Sequence, residues 1–384
     1  MNKKLFRQII NEWKSNIWII AELLLVSIIL WYIVDSMYVK ISIYNQPRGF
    51  DISHCYLLKM GTIKKGEKGY VATDSLPSND VAELLARLKR RPDIEAAGIS
   101  ESGYPYDESS RGMSPLSYDS LVSGKYLELR RITPGFLSVF RYEGTRGETP
   151  EELASLLSED GNNFIASDNI FEKKYNISLK SLIGKKFKLF DTITNYKLAA
   201  TYIPARISDY TEASSSCSVI CLLPQKRYRA YRELCVRVKP DKDKGFMERI
   251  SEDFDKQLTV NNIYVYDVRS FRDIRRSYQI DQRQAIGSYI LGLGFLLLNI
   301  FLGLLGTFWF RTQERKGEIA LMMALGGNKK SIFIRQITEG MLLLIVATIP
   351  AIIIDWNIAY AGLTESMDGS TVAAGRFIFT IAVT

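Results

Sequence analysis

Phe308-Trp-Phe-Arg-Thr-Gln-Glu-Arg-Lys-Gly-Glu-Ile-Ala-Leu-Met-Met-Ala-Leu-Gly-Gly-Asn-Lys-Lys-Ser-Ile-Phe-Ile-Arg-Gln-Ile-Thr-Glu339 is the stretch on which the fold turns. A long apolar segment closes at Phe310, and Arg311, Glu314, Arg315, Lys316 and Glu318 follow at once. A short apolar run then passes from Ile319 through Met322, Met323, Ala324 and Leu325 to Gly326-Gly327, where a helix can stop in a left-handed turn. Asn328 can cap a new helix, which carries Lys329, Lys330 and Arg335 into a second apolar segment. The pattern predicts two membrane spans joined by a basic, helical elbow on the positive, cytoplasmic side. A plain membrane-flanking loop would explain the charges and leave the Ala-Leu-Gly stop without a reason.

Outward from the elbow, residues 285–310 form an uncharged span with Gly287, Gly292, Gly294, Gly303 and Gly306, expected to be packing points; Ser288 and Gly292 sit four apart. Residues 337–354 form the span beyond it, with Glu339 at its cytoplasmic edge and Pro350 placed to kink it. Glu339 has two physical options, a salt bridge to Arg335 four residues earlier or a contact with another helix. An outer loop, 355–375, leads to 376–384, the start of a fourth span too short to finish. At the other end, residues 1–16 set Leu5, Phe6, Ile9, Ile10 and Trp13 on one helical face, the pattern of a helix lying in the membrane interface. Residues 17–38 form a first span, interrupted by Glu22, whose expected role is packing or gating. Asp35-Ser36-Met37-Tyr38 offers no small-residue cleavage site, which argues against a signal peptide.

Between these spans, residues 39–284 hold no further apolar segment and are predicted to form an outer domain. A strand at 55–60, a helix at 81–90 capped near Asn79-Asp80, and a strand at 94–99 form one β-α-β half, at about 50–130. A strand at 234–238, a helix at about 244–258 and a strand at 263–268 form the other, at 234–268. An inserted subdomain at about 132–225 has short helices at 150–157 and 167–174 and strands at 186–190, 197–202 and 219–223. Residues 268–284 read as a stalk helix with Phe271, Ile274 and Tyr278 on one side.

The net charge of +8 suggests nucleic-acid binding at first sight, but ten of the basic residues flank apolar spans, where membrane topology wants them. One histidine, His54, excludes a histidine-pair catalyst and a multi-histidine metal site, and a Ser-His-Asp set resting on that single distant histidine is not expected. Cys55, Cys217, Cys221 and Cys235 all fall in the outer stretch, where both a disulfide and small buried thiols remain open readings. Gly124-Lys125-Tyr126 and Gly184-Lys185-Lys186 lack the loop and hydroxyl of a phosphate-cradling motif, so the chain is not expected to hydrolyse ATP by itself.

The run from Glu314 to Gly327 resembles the signature of the FtsX/MacB-type permeases of ABC transporters. There an arginine-rich, Glu-Ile-containing helix ends in Ala-Leu-Gly-Ala and is followed by basic residues and a Glu, which Glu339 matches. Gly327 replaces the usual Ala and Met322-Met323 the usual basic pair, which makes the contact greasier. Ile132-Thr133-Pro134-Gly135-Phe136-Leu137-Ser138-Val139-Phe140 is similar to a phrase of the MacB-like periplasmic core domain. Phe164-Ile165-Ala166-Ser167-Asp168, with Ile183-Gly184-Lys185-Lys186-Phe187, is similar to another.

The resemblance implies an α-helical membrane protein with four transmembrane helices, the last truncated, and a large α+β extracytoplasmic domain inserted between helices 1 and 2. It implies the bacterial inner membrane, with the domain in the periplasm. A separate ABC ATPase would dock on the elbow through Arg311, Glu314, Arg315, Glu318, Ile319, Met322, Met323, Ala324, Leu325, Gly326 and Gly327. Two copies, or this chain and a sister permease, would pair, with a periplasmic adaptor, an outer-membrane channel and membrane lipid as further partners; no cofactor or nucleic acid is expected. The output would be efflux of a peptide, drug or lipid-linked substrate; the alternatives are lipoprotein release, regulation of cell-wall hydrolases, or, in another class, a membrane-anchored ligand sensor.

Overall fold

The computed structural model describes residues 13–107, 115–124, 127–157, 162–189, 195–314, 316–324, 326 and 328–360. In chain order its elements are α1 (Trp13–Tyr44), β1 (Cys55–Thr62), α2 (Pro77–Arg90), β2 (Ile94–Glu101), β3 (Leu116–Tyr118), β4 (Leu121–Val122) and β5 (Glu128–Ile132). There follow α3 (Gly135–Phe140), α4 (Pro150–Ser155), β6 (Asn163–Ser167), α5 (Glu172–Tyr175), β7 (Lys186–Leu189), β8 (Asn195–Tyr202) and β9 (Ser218–Leu222). The last are β10 (Glu233–Val238), α6 (Phe246–Ser251), β11 (Thr259–Val260), β12 (Ile263–Ser270), α7 (Phe271–Tyr278), α8 (Ile280–Glu314), α9 (Lys316–Ala324) and α10 (Lys329–Tyr360). They divide into a helical unit, Met1–Ser42 with Gln282–Thr384, and a sheet-rich unit, Ile43–Asp281.

In the helical unit α1, α8 and α10 each contain a segment long and apolar enough to cross a membrane: Ile20–Tyr44, Ile280–Gly303 and Gly340–Ile358. Leu291, Phe295 and Trp309 of α8 are 76%, 67% and 71% exposed, an apolar surface suited to lipid and costly in water. α1 runs on as one helix well past the predicted end of the first span. Most of the predicted interface helix, residues 1–12, and the start of the fourth span lie outside the described residues. Pro350 sits inside α10, which continues through it.

The sheet-rich unit is built on one mixed sheet of order β11-β12-β1-β10-β2-β5-β9-β6-β8-β7-β3-β4. Its first half interleaves β1-α2-β2 with β10-α6-β12 in the spatial order β12-β1-β10-β2, all antiparallel, a split β-α-β arrangement. Val81, Leu84, Leu85 and Leu88 recur at helical spacing on α2, and all four are buried against Ile99, Leu234 and Val236 of the strands. α2 starts at Pro77, not at the expected Asn79-Asp80: proline is preorganised for a first helical position, and the Asp80 carboxylate instead accepts from Ser75 Oγ (2.6 Å) and Asn261 Nδ2 (2.8 Å). α6 stops at Ser251, well short of the expected 258. A turn there buries Leu258 and lets β11 pair with β12.

The second half, β5-β9-β6-β8-β7-β3-β4, carries parallel β5–β9 and β6–β8 pairs. Strand pairing starts this half at Leu116, earlier than the insert boundary near 132, and Ser167, expected in a helix, closes β6. Among the described residues only Ser100↔Ile132 and Glu101↔Arg131 pair β2 with β5, a two-residue joint in the sheet, while a shared core of Leu57 and Cys235 with Ile132, Ile165 and Ile220 also packs the halves together. The Thr133-Pro134-Gly135 phrase closes that joint. Thr133 Oγ1 accepts from Ile99 N at 2.9 Å, and a Cβ on Gly135 would stand 2.4 Å from Ala97 O, a contact only glycine permits.

Candidate functional site

The elbow is a local construction. α9 ends at Ala324, and Gly326 then turns at φ +89°, its N–H donating to Met323 O at 3.1 Å. Asn328 Oδ1 accepts from Lys330 N at 3.2 Å and starts α10. Glu314, Met323, Ala324 and Gly326 are exposed and Ile319 is half-buried; Leu321, also on α9, is 62% exposed and Met323 43%. Arg315, Leu325 and Gly327 lie outside the described residues, as do the side chains of Arg311, Glu318, Met322, Arg335 and Glu339. The elbow therefore presents a short helix with apolar side chains uncovered, between two apolar helices.

Within the helical unit Glu22 meets α8. A Cβ on Gly303 would stand 3.1 Å from Glu22 Oε1, so the missing side chain gives the carboxylate room. Gly287, Gly292, Gly294 and Gly306 have nothing within 4 Å of such a Cβ, so Gly303 alone of these five is a close-approach point among the described residues. Lys40 Nζ also donates to Gln282 Oε1 at 3.3 Å.

A second constellation lies in the sheet-rich unit, where the chain leaves α1 and returns toward α8. Its hub is the loop 203–211. Arg206 is fully buried, and its guanidinium donates to Gln46 O (2.6 Å), Thr211 O (2.8 Å) and Asp209 O, while its backbone N–H donates to Arg48 O (2.9 Å). The Asp209 carboxylate, 1% exposed, receives Tyr106 Oη on one oxygen (2.9 Å), and Arg275 Nε and Gln279 Nε2 on the other (2.6 Å each). Arg48 Nε stands 3.7 Å away, and Arg275 Nη2 reaches Tyr44 Oη at 3.1 Å. Burial pushes the Asp209 carboxyl up, but the hydrogen bonds from Gln279, Tyr106 and Arg275 outweigh it and hold it below the usual carboxylate range. Burial pushes the Tyr106 hydroxyl up, with the Asp209 charge adding to it. One loop thus ties residues 44–48 to residues 275–279 through charge-assisted bonds. The expected stalk helix over 268–284 is not one helix: β12 runs on to Ser270, α7 covers Phe271–Tyr278 and α8 starts at Ile280, although the expected apolar side of α7 does pack, with Phe271 buried and Ile274 and Tyr278 on the same core.

Sequence reading missed this neck. Arg206 and Asp209 stand in a loop with no periodicity, and their partners are far away along the chain. Buried Arg130 and Arg237 were missed as well. Arg130 bonds Tyr142 Oη (2.8 Å) and Glu128 (2.9 Å); Arg237 bonds Val139 O (2.7 Å), Ser53 O and Asp51 O (2.8 Å each). A single charge inside the apolar strand Leu234-Cys235-Val236-Arg237-Val238 was the available signal. The cysteines are four free thiols, with Cys55 Sγ donating to Val139 O at 3.1 Å. Among the described residues no three His, Cys, Asp or Glu side chains converge on a metal site. No family model matches the chain, and none of the curated proteins matches it.

Proposed function

We propose that the chain is the permease subunit of an ABC transporter of the FtsX/MacB type, a lever driven by a separate ATPase. The observation that carries this reading is the elbow: a nine-residue helix between two apolar helices, with Leu321 and Met323 uncovered beside exposed charges. Apolar side chains left bare beside charges call for a protein partner. The motor closes on ATP and pushes α9. α8 carries the push across the membrane, because it is the one apolar helix between the elbow and the sheet-rich unit in chain order. The neck then converts it into motion of the outer unit, since Asp209 and Arg206 fasten both connecting segments to one loop. The work is done on a peptide, drug or lipid-linked cargo on the outer face, and the nucleotide chemistry belongs to the partner.

Ala324→Asp is the test. A carboxylate in the docking helix costs several kcal/mol if the contact is dry, so it should lower co-purification of an ATP-hydrolysing subunit by about tenfold or more while the protein stays inserted. Undiminished co-purification and full transport by this variant would refute the reading.

A further inference from the structure

At the two-residue joint of the sheet, three guanidiniums converge on a single carboxylate oxygen. Glu101 Oε1 lies 3.2 Å from Arg227 Nη2, 3.2 Å from Arg232 Nη1 and 3.6 Å from Arg131 Nη1. The other oxygen, Glu101 Oε2, is buried with no hydrogen-bond partner, and so is Arg232 Nε. An unmatched acceptor and an unmatched donor therefore sit in the same cluster, which natural proteins seldom leave without a function.

The charges around it do not balance. The segment 225–233 carries Lys226, Arg227, Arg229 and Arg232 against Glu233. Glu233 faces away from the cluster: it receives Ser100 Oγ, Ser102 N (2.8 Å) and Gly103 N (3.0 Å), and burial pushes its carboxyl up. Arg229 turns onto the carbonyls of Lys226 (2.9 Å) and Tyr228 (2.7 Å). Among the described residues, that leaves Glu101 as the carboxylate facing Arg227 and Arg232. Burial, and next the charge of Arg227, pull the Arg131 guanidinium below its usual value. Arg232 also lies over the Tyr231 ring, 4.7 Å from its centre, and that ring is 74% exposed. The cluster is thus a cationic patch with an exposed aromatic ring beside it.

We infer that the joint is a phosphate-binding site, in which Glu101 is an internal counter-ion occupying the place of the ligand's oxygen. A phosphate dianion brings two charges and several oxygens, so each guanidinium can take its own fork rather than share one oxygen. The phosphate belongs to a lipid headgroup or to a small soluble phosphoester; the exposed Tyr231 suits either. Because Glu101↔Arg131 is half of the register joining the two sheet halves, a ligand that displaces Glu101 acts on their joint. This site is independent of the permease role.

The test is a titration of the full chain in phosphatidylcholine nanodiscs with inorganic phosphate and, separately, with dihexanoyl phosphatidic acid. Saturable phosphate binding is expected, tightened about tenfold by Glu101→Gln and weakened at least about tenfold by Arg227→Gln with Arg232→Gln. Arg229→Gln should change affinity by less than about twofold, and thermal unfolding of each variant checks the fold. Phosphatidic acid binding more than about tenfold tighter than phosphate identifies a lipid source; equal affinities identify a soluble phosphoester. No saturable binding of either ligand up to about 10 mM, in wild type and in Glu101→Gln, overturns the proposal. So does binding that the double arginine variant retains, which would be diffuse attraction to a basic loop.

Discussion

Asp209→Asn is the sharpest probe of the neck. The substitution keeps the shape and removes the charge, and it turns an NH2 group toward donors that now have one acceptor oxygen among them. Tyr106 and Gln279 lose a buried partner outright or share it, and Arg275 loses its counter-ion. Removing one member of a buried pair costs about 3–5 kcal/mol. The Arg275 side chain is 22% exposed and partly rehydrates, which places the expected loss at the low end, about 3 kcal/mol. That corresponds to an opening equilibrium about 100-fold more favourable. Hydrogen exchange of the full chain in nanodiscs reads it directly: amides at 44–48, 206–211 and 275–279 should exchange about 100-fold faster, while those of β1 and β10 change little. The pH dependence follows from the lowered Asp209 pKa. Its contribution is fully present above the unfolded value of about 4 and disappears as pH falls through the folded value, so the gap between wild type and variant should close in acid. Asp241→Asn, at an exposed pair with Lys242, should do nothing measurable. Exchange at the neck within about threefold of wild type at pH 7 would refute the hub.

Two further outcomes are expected. A cysteine placed at Ser138, whose hydroxyl donates to Glu151 at 2.6 Å on an exposed surface, should react with an impermeant maleimide from outside, and one at Ser331 only from inside; the reverse would overturn the topology. The native thiols should react in a set order: burial pushes Cys217 up to about 11 and Cys55 and Cys221 up to about 12, and Cys217 is the least buried of the four. Cys217 should therefore label first, and the others only on unfolding; early labelling of Cys235 would contradict the core described for β10.

The elbow was legible in the sequence because a helix stop is a local event: an apolar run, a glycine free to turn left-handed and an asparagine able to cap all lie within a few residues. Span length is equally local, since the number of apolar residues alone sets whether a helix can cross a bilayer. The strands of the first sheet half showed themselves by alternation, and β1, β2, β10 and β12 lie where it placed them, give or take a residue or two. Charge pairing obeys no such rule. Asp209 finds Arg275, Gln279 and Tyr106 at separations of 66, 70 and 103 residues, and Glu101 meets Arg227 at 126. Those encounters depend on strand register and on where loops fall once the sheet is assembled, which no window of sequence contains. The sequence by itself determined which segments are apolar, how long they are and where helices must stop. Only the tertiary structure decided which charges would be taken out of water together, because a carboxylate chooses its partners by distance in space.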